Sequence, residues 1–100
     1  MTNNEEIITS NEGNDNYNRI SIIGIIVEDQ KATHRINELL SENSQYIVGR
    51  MGMPYREKNI NIICVVIDAS ANVVSSLSGR LGMLRGVSTK TVVSKPYGSL

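Results

Sequence analysis

The chain has 100 residues, enough for one domain with a modest core and too few for two. Ten basic and ten acidic side chains cancel, which removes the overall basic balance that drives binding to a phosphate backbone. Phe and Trp are absent, so the core must be built from Ile, Val, Leu and Met, of which the β-branched pair suits a pleated sheet.

Residues 1–18 (MTNNEEIITSNEGNDNYN) are polar and acidic. They read as a disordered tail, with Ile7-Ile8-Thr9 as a candidate interaction strand and no apolar h-region of the kind a signal peptide needs. From Arg19 the pattern changes. Arg19 to Glu28 reads as a strand with apolar residues on both faces: Ile20, Ile22 and Ile26 on one, Ile23, Ile25 and Val27 on the other. A helix follows over Lys31 to Glu42, with Ala32, Ile36, Leu39 and Leu40 as its stripe and Asp29 at the N-cap position. Tyr46 to Met51 predicts a second strand, which Gly52 and Pro54 should interrupt. Met51, Met53 and Tyr55 then belong to a charged hairpin loop that carries Arg50, Arg56 and Lys58. These three cations read as solvated loop charges or as a small positive patch.

Ile60 to Asp68 repeats the two-faced pattern, with Ile60, Ile62, Cys64 and Val66 against Ile63, Val65 and Ile67. Ala71 to Leu84 predicts a second helix, capped by Asp68 or Ser70, with Val73, Val74, Leu77, Leu81 and Leu84 inward. Gly79 and Gly82 lower its helical propensity and point to close approach of helix and sheet. Gly86 marks the helix end. Val87 to Val93 alternates as a fourth strand, and residues 96–100 read as a flexible end.

The order β-α-β-β-α-β predicts an α+β, ferredoxin-like sandwich: a four-stranded antiparallel sheet with two helices on one face. Strands one and three should be central, because they are apolar on both sides. The face without helices would then expose a large apolar patch, which predicts self-association through sheet or edge pairing.

No catalytic constellation is visible. Cys64, alone in an apolar run, cannot form an intramolecular disulfide and reads as a packed small hydrophobe in a reducing cytoplasm. His34 lies off the helix stripe, and one His with one Cys falls short of a metal set. Ser75, Ser76 and Ser78 have no evident partner. Central strands without aromatics argue against a single-stranded RNA reader. The backbone at Glu28-Asp29 suits an anion, while the two acids themselves favour a cap or an amine. The longest apolar run is too short to cross a bilayer.

Three segments carry a family resemblance: Ile26-Val27-Glu28-Asp29; Tyr46-Ile47-Val48-Gly49-Arg50-Met51-Gly52-Met53-Pro54-Tyr55-Arg56-Glu57-Lys58; and Leu77-Ser78-Gly79-Arg80-Leu81-Gly82 followed by Gly86-Val87. With them, Arg19 to Lys95 resembles the small bacterial iron-only hydrogenase system regulators. That family is similar to a free-standing ACT-like domain, like the regulatory domain of the nickel-responsive repressor. The resemblance implies a homodimer or homotetramer through the open sheet face, with a small-molecule effector held at the subunit interface. On this chain the candidate ligand contacts are Glu28, Asp29, Gly49, Arg50, Met51, Gly52, Tyr55 and Arg56. The resemblance brings neither the repressor's several histidines nor a DNA-binding segment, so neither a cofactor, a metal nor direct nucleic-acid contact is expected, and a role in transcription would run through a partner protein. The expected function is a non-enzymatic regulatory module that senses a small ligand or docks on a partner. Two alternatives stand beside it: a purely structural interaction module without a ligand, and an enzyme whose site, shared between subunits, uses Arg50, Tyr55 and Glu57.

Overall fold

A computed structural model describes residues 17–95. The tail reading for residues 1–16, with its candidate strand, and the reading of residues 96–100 lie outside the described residues. Strand β1 (Asn18–Val27), helix α1 (Thr33–Glu42), strands β2 (Ile47–Tyr55) and β3 (Ile60–Ser70), helix α2 (Ala71–Gly82) and strand β4 (Val87–Val93) follow one another, with short 3-10 turns at Gln30–Ala32, Ser44–Tyr46 and Arg56–Lys58. The sheet order is β2-β3-β1-β4 and every neighbouring pair is antiparallel. This is the ferredoxin-like order predicted from the sequence, with the two doubly apolar strands at the centre.

Side chains alternate across a strand, and the register assigns each one a side. Ile23, Ile25 and Val27 of β1 and Val65, Ile67 and Ala69 of β3 are buried beneath the helices. They meet Ile36, Leu39 and Leu40 of α1 and Val74, Leu77 and Leu81 of α2. Both predicted stripes therefore face the sheet. Asp29 caps the entry to the first helical segment, accepting from the Lys31 backbone N–H at 2.9 Å. Ser70, rather than Asp68, caps α2, with its hydroxyl 3.4 Å from the Val73 nitrogen. The end of α1 is tied by Asn43, whose side-chain amide donates to the Leu39 carbonyl at 2.9 Å.

Strand β2 departs from expectation. It does not stop at Met51 but continues through Gly52 and Pro54 to Tyr55. Proline lacks a donor and is excluded from central strands, but an edge strand tolerates it, and β2 is an edge. Met51 and Met53 consequently sit in the sheet and not in the hairpin loop. The loop is only Arg56–Lys58, closed by Asn59 in the left-handed conformation at φ 54°.

The glycines of α2 divide in two. A Cβ on Gly82 would lie 3.1 Å from the Thr89 hydroxyl, so helix and β4 do approach closely there; a Cβ on Gly79 would meet nothing within 4 Å. Close approach thus explains Gly82 and not Gly79. Gly86 is held at φ +76°, and a Cβ there would come 2.5 Å from the Cβ of Asp29. Its carbonyl accepts from the Glu28 N–H at 2.7 Å, which locks the exit from α2 onto the exit from β1.

Three substitutions test this description by urea denaturation. Gly79→Ala should stabilise the fold by about 0.5–1 kcal/mol, the usual gain of alanine over glycine inside a helix. Gly86→Ala should cost at least about 1–2 kcal/mol for the left-handed backbone alone. Leu81→Ala, at a fully buried position, should cost about 2–5 kcal/mol.

Candidate functional site

The sheet face away from the helices is apolar across β2, β3 and β1 and becomes mixed at β4, where Ser88 and Lys90 stand beside Val92. β1 contributes Ile20, Ile22 and Ile26, β2 contributes Met51, Met53 and Tyr55, and β4 contributes Val92; these seven are between 40% and 67% exposed. Between them lie the half-buried Ile60, Ile62, Cys64 and Val66 of β3. Charge reaches this face through Asp68 and Lys90, near its margins by register. A patch of this kind is uncommon on a monomer.

Its composition depends on one irregularity. Ile47 pairs with Ile67, but Gly49 pairs with Val66, which leaves Val48 as an extra residue in β2. A bulge of this type shifts every later side chain to the opposite side. Gly49, Met51, Met53 and Tyr55 thereby join the open face with Val66, Cys64, Ile62 and Ile60. Arg50, Gly52 and Pro54 turn to the helix side.

The eight residues expected to contact a ligand therefore occupy four places. Gly49, Met51 and Tyr55 are on the open face. Arg50 and Gly52 line a cleft of about 200 Å³ between α1 and the β2 edge, together with Thr33, Asn37 and Asn61. Arg50 donates there to the Asn37 side-chain oxygen at 3.1 Å. Arg56 lies exposed in the hairpin turn, six residues beyond Arg50 and past the end of β2. Glu28 is exposed, and Asp29 lines a separate cleft of about 420 Å³ with Lys31, Arg35, Leu84 and Arg85. Of the three cations there, Arg35 is already paired with Glu38 at 3.2 Å. The fold by itself does not bring Arg50, Arg56 and Lys58 to one point, nor Arg50, Tyr55 and Glu57: Arg50 faces the helices, Tyr55 the open side, and Glu57 is in the turn.

Other residues fall differently from their sequence reading. Cys64 is only half-buried and belongs to the open face, between Met51 and Gly24 in the ladder; it becomes a packed hydrophobe only once that face is covered. Ser78, read as unpartnered, meets β4: its hydroxyl accepts from the Thr91 hydroxyl at 3.0 Å, and its carbonyl accepts from Thr89 at 3.3 Å. His34 is off the stripe as expected, 87% exposed and 3.5 Å from Glu38. Among the described residues no group of three His, Cys, Asp or Glu side chains converges, and no helix is long and apolar enough to cross a membrane.

Residues 19–91 match the family described as TM1266-like, iron-only hydrogenase system regulator. Among solved structures, the chain is similar to the uncharacterized protein TM1266 from Thermotoga maritima, with 40% sequence identity and a TM-score of 0.75 over 78% of this chain and 99% of that one. A formyltetrahydrofolate deformylase from Pseudomonas putida KT2440 matches at 16% identity and a TM-score of 0.54, over 77% of this chain and 29% of that one. The second likeness is one of fold alone. No curated protein matches the chain.

The two roles open to Asp29 separate experimentally. As a cap, Asp29→Asn should be nearly neutral in urea denaturation, whereas Asp29→Ala should cost about 0.5–2 kcal/mol. Equal losses in both variants would show that the carboxylate charge, and not its acceptor oxygen, holds the turn.

Proposed function

The chain belongs to the TM1266-like family of iron-only hydrogenase system regulators, and from that membership we propose that it is a non-enzymatic regulatory module, an ACT-like domain that pairs with a second copy through its open sheet face and senses a small ligand or docks on a partner protein. The observation that carries this reading is the continuous apolar face formed by β2, β3 and β1 and extended by Val92 of β4. Covering it removes several large aliphatic side chains from water, at roughly 25 cal/mol for each Å² of apolar surface. A second copy fits that role, because a two-fold contact needs one self-complementary patch and this face is nearly uncharged at its centre.

Face-to-face pairing would bring some of the candidate contacts to the subunit boundary. Gly49, Met51 and Tyr55 enter the interface directly. Arg50, Gly52 and Arg56 follow the rim along β2, where a ligand held between subunits would find both apolar and cationic groups. Methionines suit such a contact, since their unbranched side chains adapt to an uneven partner. Glu28 and Asp29 mark a second contact zone where β1 ends. A regulator built this way responds when a ligand changes how the two copies sit, or when a partner protein replaces one of them. The cytoplasm is the expected setting.

Size-exclusion chromatography with light scattering, joined to native mass spectrometry, tests the pairing. The unmodified chain should be a dimer or a tetramer. Ile22→Glu, placed opposite Val66 and Val92 at the middle of the face, should give a folded monomer by circular dichroism. Cys64 should react with a maleimide several-fold faster in that variant. An unmodified chain that stays monomeric at high micromolar concentration overturns the pairing. A small-molecule adduct carried by the unmodified oligomer and lost in Arg50→Ala/Arg56→Ala supports sensing along the β2 rim. An adduct-free oligomer points to docking on a partner protein.

A further inference from the structure

On the helix side of the sheet, away from the eight residues discussed above, a cleft of about 500 Å³ opens between α2 and the strands β1, β3 and β4. That volume is in the range of small-molecule sites. Ser21 lies at its floor. It belongs to the inward series Ser21, Ile23, Ile25 and Val27 and is the one polar side chain in it; it is 1% exposed. Among the described residues its hydroxyl has no hydrogen-bond partner. A buried hydroxyl without a partner is costly, and alanine would occupy the position without that cost. The hydroxyl is therefore best explained by a group that the described residues do not supply.

The walls agree. Ala69 and Gly79 line the cleft, and the space where a Gly79 side chain would stand is open, with nothing within 4 Å. Gly79 therefore leaves the wall of the cleft open on the α2 side. Arg19 lies two residues before Ser21 on the same side of β1, about 7 Å along the strand, and also lines the cleft. Among the described residues Arg19 makes no ion pair, and no carboxylate lines the cleft. The amino-terminal end of α2 lies at the same place, through Ala71 and Val74, and adds a positive potential.

We propose that this cleft binds a small monocarboxylate with a short, branched apolar body. The carboxylate lies between the Arg19 guanidinium and the Ser21 hydroxyl, which donates to it, and the apolar body rests against Val74. The site is on the opposite side of the sheet from the open face, so its occupancy does not depend on pairing through that face.

The test is a ¹H–¹⁵N NMR titration of the full chain with isobutyrate and isovalerate, with isobutyramide as the neutral control of matched shape. The acids should produce saturable shifts confined to the start of β1, the end of β3, the end of β4 and the α2 residues from Ala71 to Gly79. The amide should bind at least about tenfold more weakly, as expected when a charged partner of a hydrogen bond is removed. Arg19→Gln, at a partly exposed position where folding is not at stake, should abolish the preference for acid over amide. Ser21→Ala should weaken acid binding and raise the melting temperature of the free protein, because it removes an unpaired buried hydroxyl. Four results would overturn the proposal: no saturable shift at tens of millimolar acid, equal binding of acid and amide, shifts that map to the open face, or a lowered melting temperature in Ser21→Ala with acid affinity unchanged.

Discussion

Burial on both faces of β1 and β3 requires two covering layers, and α1 and α2 supply one. The central strands are apolar on alternate and intervening residues alike, which suits the middle layer of a three-layer stack. Among the described residues there is no third layer. The core beneath the helices is complete, with Ile23, Ile25, Val65 and Ile67 fully buried. The equivalent side chains one residue along are left against water. Under the proposed function, a face left uncovered by the described residues is also a face through which whatever covers it can act.

Much of this was legible in the sequence, and the reason is local. Alternation in Arg19 to Glu28 and in Ile60 to Asp68, and the spacing of Ile36, Leu39, Leu40, Val74, Leu77 and Leu81, are set by residues close in sequence. They therefore identify elements, faces and the central position of two strands. Pro54 was misread because a breaker is judged by its surroundings: it ends a central strand but not an edge one, and which strand is an edge is a property of the whole sheet. Gly82 and Gly79 look alike in the sequence, yet only the first has β4 pressed against it. Ser78 finds Thr91 thirteen residues away, which no spacing rule reports. Of the candidate contacts, the sequence places Arg50 and Met51 in one loop, whereas the structure turns them to opposite sides of the sheet. Ser21 carried a usable signal that went unread: a single hydroxyl in an otherwise aliphatic inward series.

The two sides of the sheet differ in what they leave unfinished. The open side lacks a cover and has almost no polar chemistry, so its recognition rests on shape and aliphatic area. The helix side is covered, and what it leaves over is local: a hydroxyl without a partner, a glycine beside empty space and a cation at the cleft. A wide apolar surface is suited to a large protein surface, and a small, mostly apolar cleft with one cation and one hydroxyl to a small molecule. The chain is short enough that both have to be built on the same central strand, with Ile22 turned one way and Ser21 the other.

Val48 shows how little sequence this arrangement turns on. The residue touches no core neighbour of note and is exposed, so most replacements at that position should pass without consequence. Its removal would be another matter, because the strand beyond it would slip by one place and the methionines would exchange sides with Arg50 and Gly52. At this point on the edge strand the molecule is indifferent to spelling and sensitive to count. Selection there would act on segment length, and an alignment of such domains should tolerate substitution at this site far more readily than a gap.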